Sequence, residues 1–210
     1  MINILIDELP KTVEIDGISY PVNYGYRANI LIEIDMFSDR NDEQKLLDAL
    51  NIFYFNNVPS NRNKALEKLL WFYRRGKEED KQEERGKRIR KAGKVRAYCF
   101  ETDAERIYAA FRTQYGINLN QTKNNELHWW EFMAMFDALS EEHLISRVMF
   151  YRTADLKGMG KNQAAFIKKM REKYKIHHES SSLDDRAKLA KRNADMKEYV
   201  KKRMEERWKK

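Results

Sequence analysis

The sequence is poor in cysteine, proline and long apolar runs. Its 210 residues include one cysteine, Cys99, and three prolines. A single thiol excludes an intrachain disulfide and with it the disulfide-rich secreted class, so a reducing cytoplasm is the expected compartment. No apolar run approaches the ~18 residues that a membrane-spanning helix needs. The N-terminal stretch has no basic leader and reaches Asp7 and Glu8 too early for a secretory signal, so we expect no membrane association.

Motifs that carry chemistry are also scarce. No Gly-rich loop stands between a β-prone run and a helical one, which argues against a phosphate-binding loop. The adjacent His177 and His178 lack a nearby cysteine and point in different directions, which argues against a metal site. His128 and His143 are expected on helix surfaces, and Cys99 has no catalytic signature around it. We expect no catalytic residue, no metal and no cofactor, and therefore not an enzyme.

Charge, in contrast, is abundant and unevenly distributed. The net charge is +8, but residues 1–60 carry −6 and residues 99–160 carry −3, so the basic excess lies in 61–98 and 161–210. Within 77–94 the only large apolar residue is Ile89, and this segment is predicted to be an exposed charged insert because it cannot offset its ordering entropy by burial. Nucleic-acid binding through the insert and tail is an alternative, disfavoured because acids interleave with the basic residues and no aromatic platform is evident.

The densest apolar segment is 126–139, ELHWWEFMAMFDAL. At 3.6 residues per turn its apolar side chains cover most of the circumference and leave only a narrow strip through His128, Glu131 and Met135 for solvent. A helix that is apolar nearly all round is expected to be surrounded by other elements. We predict a central helix whose core residues are Trp129, Trp130, Phe132, Met133, Phe136 and Leu139.

Local signals place the other elements. Asp16-Gly17 separates two β-prone runs and predicts a hairpin with a type I′ turn, and Ile2–Ile6 is a candidate third strand. Helix starts are predicted from caps at Asp42 and Ser140 and from a capping box at 102–105. Residues 96–100 are predicted to be a short strand or a lead-in to the following helix.

These patterns predict a mainly α fold. We expect a helical bundle around the central helix 126–139, a small N-terminal β-hairpin and a protruding basic C-terminal helix. The predicted domains are the hairpin at 1–24, a helical core at 25–160 that contains the insert at 77–94, and a basic helical tail at 161–210.

The tail contains a candidate partner-binding stripe. Residues 183–210 are patterned as one long helix, but its narrow apolar stripe cannot hold a helix onto a large core. Such a stripe is suited to a groove of a partner or to a short coiled coil. The candidate partner-binding residues are Met196, Tyr199, Val200, Met204 and Trp208.

Several of these stretches, taken together, resemble one phage family. They are ILIDELPKTVEIDGISYPVN at 4–23, ALEKLLWFYRRGKEE at 65–79, YCFETDAERIYAAFRTQYGINL at 98–119, LHWWEFMAMFDAL at 127–139 and FYRTADL at 150–156. The combination resembles the bacteriophage gp-fifteen family of siphophages and prophages, and the resemblance spans roughly residues 1–175.

The resemblance implies a role in tail morphogenesis. Members of that family are similar in genome position to tail assembly chaperones, between the major tail protein and the tape measure. The resemblance therefore implies a chaperone of the tape measure or a partner of one, in the cytoplasm of the bacterial host. Expected partners are the phage tape measure protein, the major tail protein or both, with self-association also possible. A minor structural component retained in the virion is a further alternative.

Overall fold

A computed structural model gives the fold of residues 2–77 and 96–176. The predicted charged insert beyond Lys77 and the candidate stripe in the tail lie outside these described residues, and the domain division stays a prediction. The chain falls into two compact units, Met1–Lys175 and Ile176–Lys210. None of the helices in the described ranges is both long and apolar enough to cross a membrane.

The described residues form seven α-helices and one two-stranded sheet, which confirms the mainly α fold class. The strands are β1 (Thr12–Ile15) and β2 (Ile18–Pro21), and a 3-10 turn spans Asn124–Glu126. The helices are α1 (Tyr26–Met36), α2 (Asp42–Phe53), α3 (Arg62–Tyr73), α4 (Ala104–Tyr115), α5 (Trp129–Asp137), α6 (Leu144–Thr153) and α7 (Lys161–Lys173).

The N-terminal hairpin has the predicted turn. Asp16 and Gly17 both have positive φ, 52° and 78°, as a type I′ turn requires, and the strands pair antiparallel. The predicted third strand is wrong. The amides of Ile6 and Asp7 both donate to the carbonyl of Asn3, at 3.1 and 2.9 Å, so this segment closes a turn instead of extending along the hairpin.

Helix α5 lies at the centre of the core, as predicted, although it is shorter than 126–139. Its Phe132 is fully buried, and the ring stacks on Tyr26 of α1 and on Phe111 of α4, with ring centres 5.3 and 4.9 Å apart. Five of the six predicted core residues are buried, and Met133 is partly buried against the core (the buried five are Trp129, Trp130, Phe132, Phe136 and Leu139).

Helix α5 also fixes the end of α3. The indole N–H groups of Trp129 and Trp130 donate to the carbonyls of Tyr73 and Phe72, at 3.2 and 2.7 Å. The last carbonyls of a helix have no partner within the helix. The two tryptophans therefore satisfy the C-terminal end of α3 while packing in the core.

The expectation that only a narrow strip of α5 faces solvent is wrong. Ala134 and Ala138 are exposed, and the methyl group of alanine adds little apolar surface to be buried. His128, placed by the pattern in the solvent strip, is instead buried and precedes the helix as its N-cap. The side chain was assigned to the wrong environment because a residue just before a helix does not follow the helical periodicity of the residues within it.

A short antiparallel pairing brings the starts of α1 and α5 together. The amide of Trp129 donates to the carbonyl of Tyr24, at 2.8 Å, and the amide of Tyr26 donates to the carbonyl of Leu127, at 3.1 Å. Gly25 lies between them, and a Cβ at this position would overlap the backbone and side chain of Asn124. The close approach of the two segments therefore requires glycine.

Three predicted helix starts are displaced. The N-cap of α2 is Asn41, not Asp42, and that of α6 is His143, while Ser140 accepts a hydrogen bond from the amide of Glu142 in the preceding turn. Helix α4 begins after Asp103 without the predicted capping box at 102–105.

The start of α4 is set by a buried ion pair. Asp103 is fully buried and accepts from Arg152 of α6 at 2.5 and 3.1 Å, while it also accepts from the amide of Cys99. Arg152 donates in addition to the carbonyl of Ala97, at 3.0 Å. Residues 96–100 therefore do not form the predicted strand, since these side chains take hydrogen-bonding groups that a ladder would use. The amide of Asp103 donates to the carbonyl of Cys99, at 2.8 Å, so Cys99 and Phe100 begin the turn that leads into α4.

The buried His128 makes the stability of the fold dependent on pH. Its Nδ1 accepts from the amide of Trp130, at 3.0 Å, and its Nε2 donates to the carbonyl of Pro10, at 3.1 Å, which fits the neutral imidazole. Burial lowers the pKa of His128 below 6.5, against a smaller opposing effect of the Pro10 hydrogen bond. Because of this shift, the unfolded chain binds a proton at His128 more readily than the folded chain does. The neutral, buried His128 therefore contributes to stability above about pH 6.5, and the contribution is lost as the pH falls through the lower pKa of the folded state.

We predict that His128→Asn removes part of this acid sensitivity. Asparagine keeps a neutral N-cap acceptor, so the free energy of unfolding should fall less between about pH 7.5 and about pH 5 than in the unaltered protein. Urea unfolding at the two pH values measures the difference. Burial raises the pKa of Glu33 and acts in the opposite direction, but it is common to both proteins and cancels in the comparison. An identical pH dependence would contradict the assignment.

Candidate partner-binding groove

An open groove lies between α1 and α2, and we define it by two facing stripes. The members of each stripe are spaced i, i+3, i+4, i+7, and the first three of each lie on one face of their helix. Between them is a cavity of about 730 Å³. The stripe of α1 and the turn after it comprises Leu31, Ile34, Asp35 and Ser38, and the stripe of α2 and the turn after it comprises Asp48, Asn51, Ile52 and Phe55.

Each helix of the pair has a second face in the core. On α1, Ile32 is buried while the adjacent Leu31 is 56% exposed. At the end of α2, Phe53 is fully buried, while Phe55 in the turn that follows is 56% exposed. The two helices pack on each other and α1 also packs on α5. The groove is thus formed by apolar side chains that stay exposed when the core-facing sides of both helices are buried.

Phe55 is held in an unusual backbone conformation. It has φ 52° and is followed by Asn56 with φ 63°, both in the left-handed region. This region is uncommon for bulky residues and costs about 1–2 kcal/mol. The turn is retained by hydrogen bonds from the amide of Asn56 to Asn51 and from the amide of Asn23 to Phe53, both at 2.8 Å. The turn therefore directs an aromatic side chain into the groove from a backbone conformation that is unfavourable for it.

The polar part of the groove is an ion triad. Arg40 donates to Asp35 at 2.7 Å and to Asp48 at 2.5 Å, joining the two walls. Hydrogen bonds with Asp48 and then with Asp35 raise the pKa of Arg40, and the bond with Arg40 lowers the pKa of Asp48. The second carboxylate oxygen of Asp35, Oδ2, is buried and has no hydrogen-bond partner in the part of the chain that the structure describes. The triad thus contains one more carboxylate than cation.

The charge around the groove is acidic. The charged side chains that line it are Asp35, Asp48 and Arg40, a net charge of −1. This charge favours a cationic partner.

The sequence did not single out the groove, and the residues it did single out lie elsewhere. Met196, Tyr199, Val200, Met204 and Trp208 are outside the described residues, so their partner-binding role stays a prediction. The predicted core residues of α5 are in the core and line no part of the groove. The repeated i, i+3, i+4, i+7 spacing was the available signal, but a groove and a core face have the same spacing. Within residues 2–77 and 96–176, no group of three or more His, Cys, Asp or Glu side chains is arranged to hold a metal ion.

We predict that Phe55 contributes little to the stability of the isolated fold. Phe55→Asn removes part-buried apolar surface but places a residue that tolerates the left-handed region, so the two effects should nearly cancel, within about 1 kcal/mol. The matched control is Phe53→Ala, two residues earlier and fully buried, which should cost about 3–5 kcal/mol. Urea unfolding distinguishes the two; a comparable loss for both variants would show that Phe55 is a core residue.

Comparison with known proteins identifies the family. The model of the family described as Bacteriophage Gp15 protein matches residues 5–176, a range that includes the groove and α5. No curated protein and no solved structure matches the chain. Since the family model covers most of its 210 residues, the chain belongs to the bacteriophage Gp15 protein family.

Proposed function

We propose that this phage protein acts without catalysis in tail assembly, as a chaperone that binds the tape measure protein or tail-tube subunits through helical surfaces. The observation that carries the proposal is the groove, where Leu31 and Phe55 leave more than half of their surface exposed. Exposed apolar surface flanked by charged side chains is typical of protein-binding sites.

The chemistry of the proposed partner agrees with this surface. The family resemblance implies a tape measure partner, a long and largely helical protein whose apolar faces require protection until the tail tube encloses it. A helix-lined groove covers such faces without competing for backbone hydrogen bonds, because the backbone groups of a helix are already paired within it. The apolar stripe predicted in the tail would add a second contact.

We predict that co-expression with the tape measure protein of the same phage keeps that protein soluble. The chain lacking Leu183 to Lys210 should remain folded by circular dichroism but retain less tape measure in a pulldown, because the predicted stripe is removed. Pulldowns at low and high salt separate this binding from nucleic-acid bridging, which would show a steep salt dependence. Tape measure that aggregates equally with and without the full chain would reject the chaperone function.

Mass spectrometry of purified particles completes the test. A chaperone should be missing from mature virions, whereas a structural tail component should be present in proportion to the tail proteins. Recovery of this protein from virions in proportion to the tail proteins would reject the chaperone function and support the structural role.

A further inference from the structure

We infer that the groove between α1 and α2 takes one basic amphipathic helix of a partner protein, with its apolar face against Leu31, Ile52 and Phe55 and a lysine or arginine at the acidic rim formed by Asp35 and Asp48. The inference deepens the proposed function and rests on it for the statement that the partner is a tail protein. The shape and charge of the occupant are argued from the groove itself.

The spacing of the walls favours a helix as the occupant. Each wall extends over eight residues, or about two helical turns and ~10 Å. An amphipathic helix presents its apolar side chains at the same i, i+3 or i+4, i+7 intervals. An extended peptide would require the free edge of a sheet for its backbone hydrogen bonds, and both walls of the groove are helical.

The conformation and exposure of Phe55 favour a role of its ring as a contact for the occupant of the groove. Its left-handed backbone is unfavourable for an aromatic side chain, yet the turn leaves 56% of this side chain's surface exposed in the free protein. Covering the ring with a partner would remove that apolar surface from water and so contribute to affinity. A polar residue suited to left-handed backbone would satisfy the turn but would not provide this contact.

Charge determines which kind of helix fits. Arg40 is 48% exposed, but it is already engaged by both Asp35 and Asp48, so the triad as a whole has a net charge of −1. The rim retains the excess negative charge, and the side chain of Asp48 remains 29% exposed to an approaching cation. A basic side chain on the occupant would compensate this charge, whereas an acidic one would meet repulsion from both walls.

The test uses the full chain and three synthetic helical peptides as probes. All three carry leucine at the i, i+3, i+4, i+7 positions and differ in having lysine, glutamine or glutamate at the flanking positions. We expect fluorescence anisotropy to give the order lysine, glutamine, glutamate, with about a tenfold preference for lysine over glutamate at low salt, since the carboxylate in excess over Arg40 attracts a cation and repels an anion. Equal binding of the three peptides would overturn the inference.

Paired variants locate the binding. The double variant Asp35→Asn with Asp48→Asn should abolish most of the preference for the lysine peptide. Phe55→Asn should weaken the binding of all three peptides to the same extent. The controls are Asp155→Asn and Leu5→Ser, an exposed acid and an 87% exposed apolar residue that do not line the groove. Thermal melts of each variant separate lost binding from lost folding. Binding that depends on Leu5 and not on Phe55 would overturn the assignment of the groove as the binding site. The assignment would also be overturned if the full chain formed dimers that prevent the peptides from binding.

The outcomes separate this inference from the proposed function. If the groove variants abolish peptide preference while the unaltered chain fails to keep tape measure soluble, the groove assignment stands and the chaperone function fails. If tape measure is bound equally by the groove variants, the function stands and the groove assignment is rejected.

Discussion

The packing of aromatic rings around Phe132 is the contact on which the rest of the structure depends. The ring is fully buried and lies against Tyr26 of α1, Phe111 of α4 and Phe100 of the segment before α4. Because Tyr26 must face this cluster, Leu31, five residues later and about 140° around a helix of ~100° per residue, is directed away from it. The core therefore determines which face of α1 is left for the groove.

Much of the fold followed from short-range patterns, and the errors arose where long-range contacts dominated. The Asp16-Gly17 turn and the core role of Phe132 depend on local chemistry and periodicity, and both were predicted. The Asp103–Arg152 pair joins positions 49 residues apart, so no local signal revealed that it would replace the predicted capping box. The groove was missed because α1 has apolar residues on two faces, and periodicity does not distinguish the buried Ile32 from the exposed Leu31.

The groove and the tail stripe have a different relation to the family. The groove lies inside the range 5–176 that the family model matches, whereas the stripe from Met196 to Trp208 lies beyond it. A function shared by the family is therefore expected at the groove, and the stripe is the candidate for what is particular to this chain. The groove is proposed to take a helix of a partner, whereas the stripe is predicted on a helix that would itself lie in a partner's groove or pair in a coiled coil. The groove is acidic and residues 161–210 are basic, so the two elements should select partner segments of opposite charge.

Hydrogen–deuterium exchange of the full chain with and without the tape measure protein tests the central claim most directly. Binding in the groove should slow exchange in residues 37–41 and 54–57, the two segments that follow α1 and α2, and leave α6 and α7 unchanged. Protection confined to α6 and α7, with the α1–α2 segments exchanging as in the free protein, would contradict the assignment of the groove as the partner-binding site.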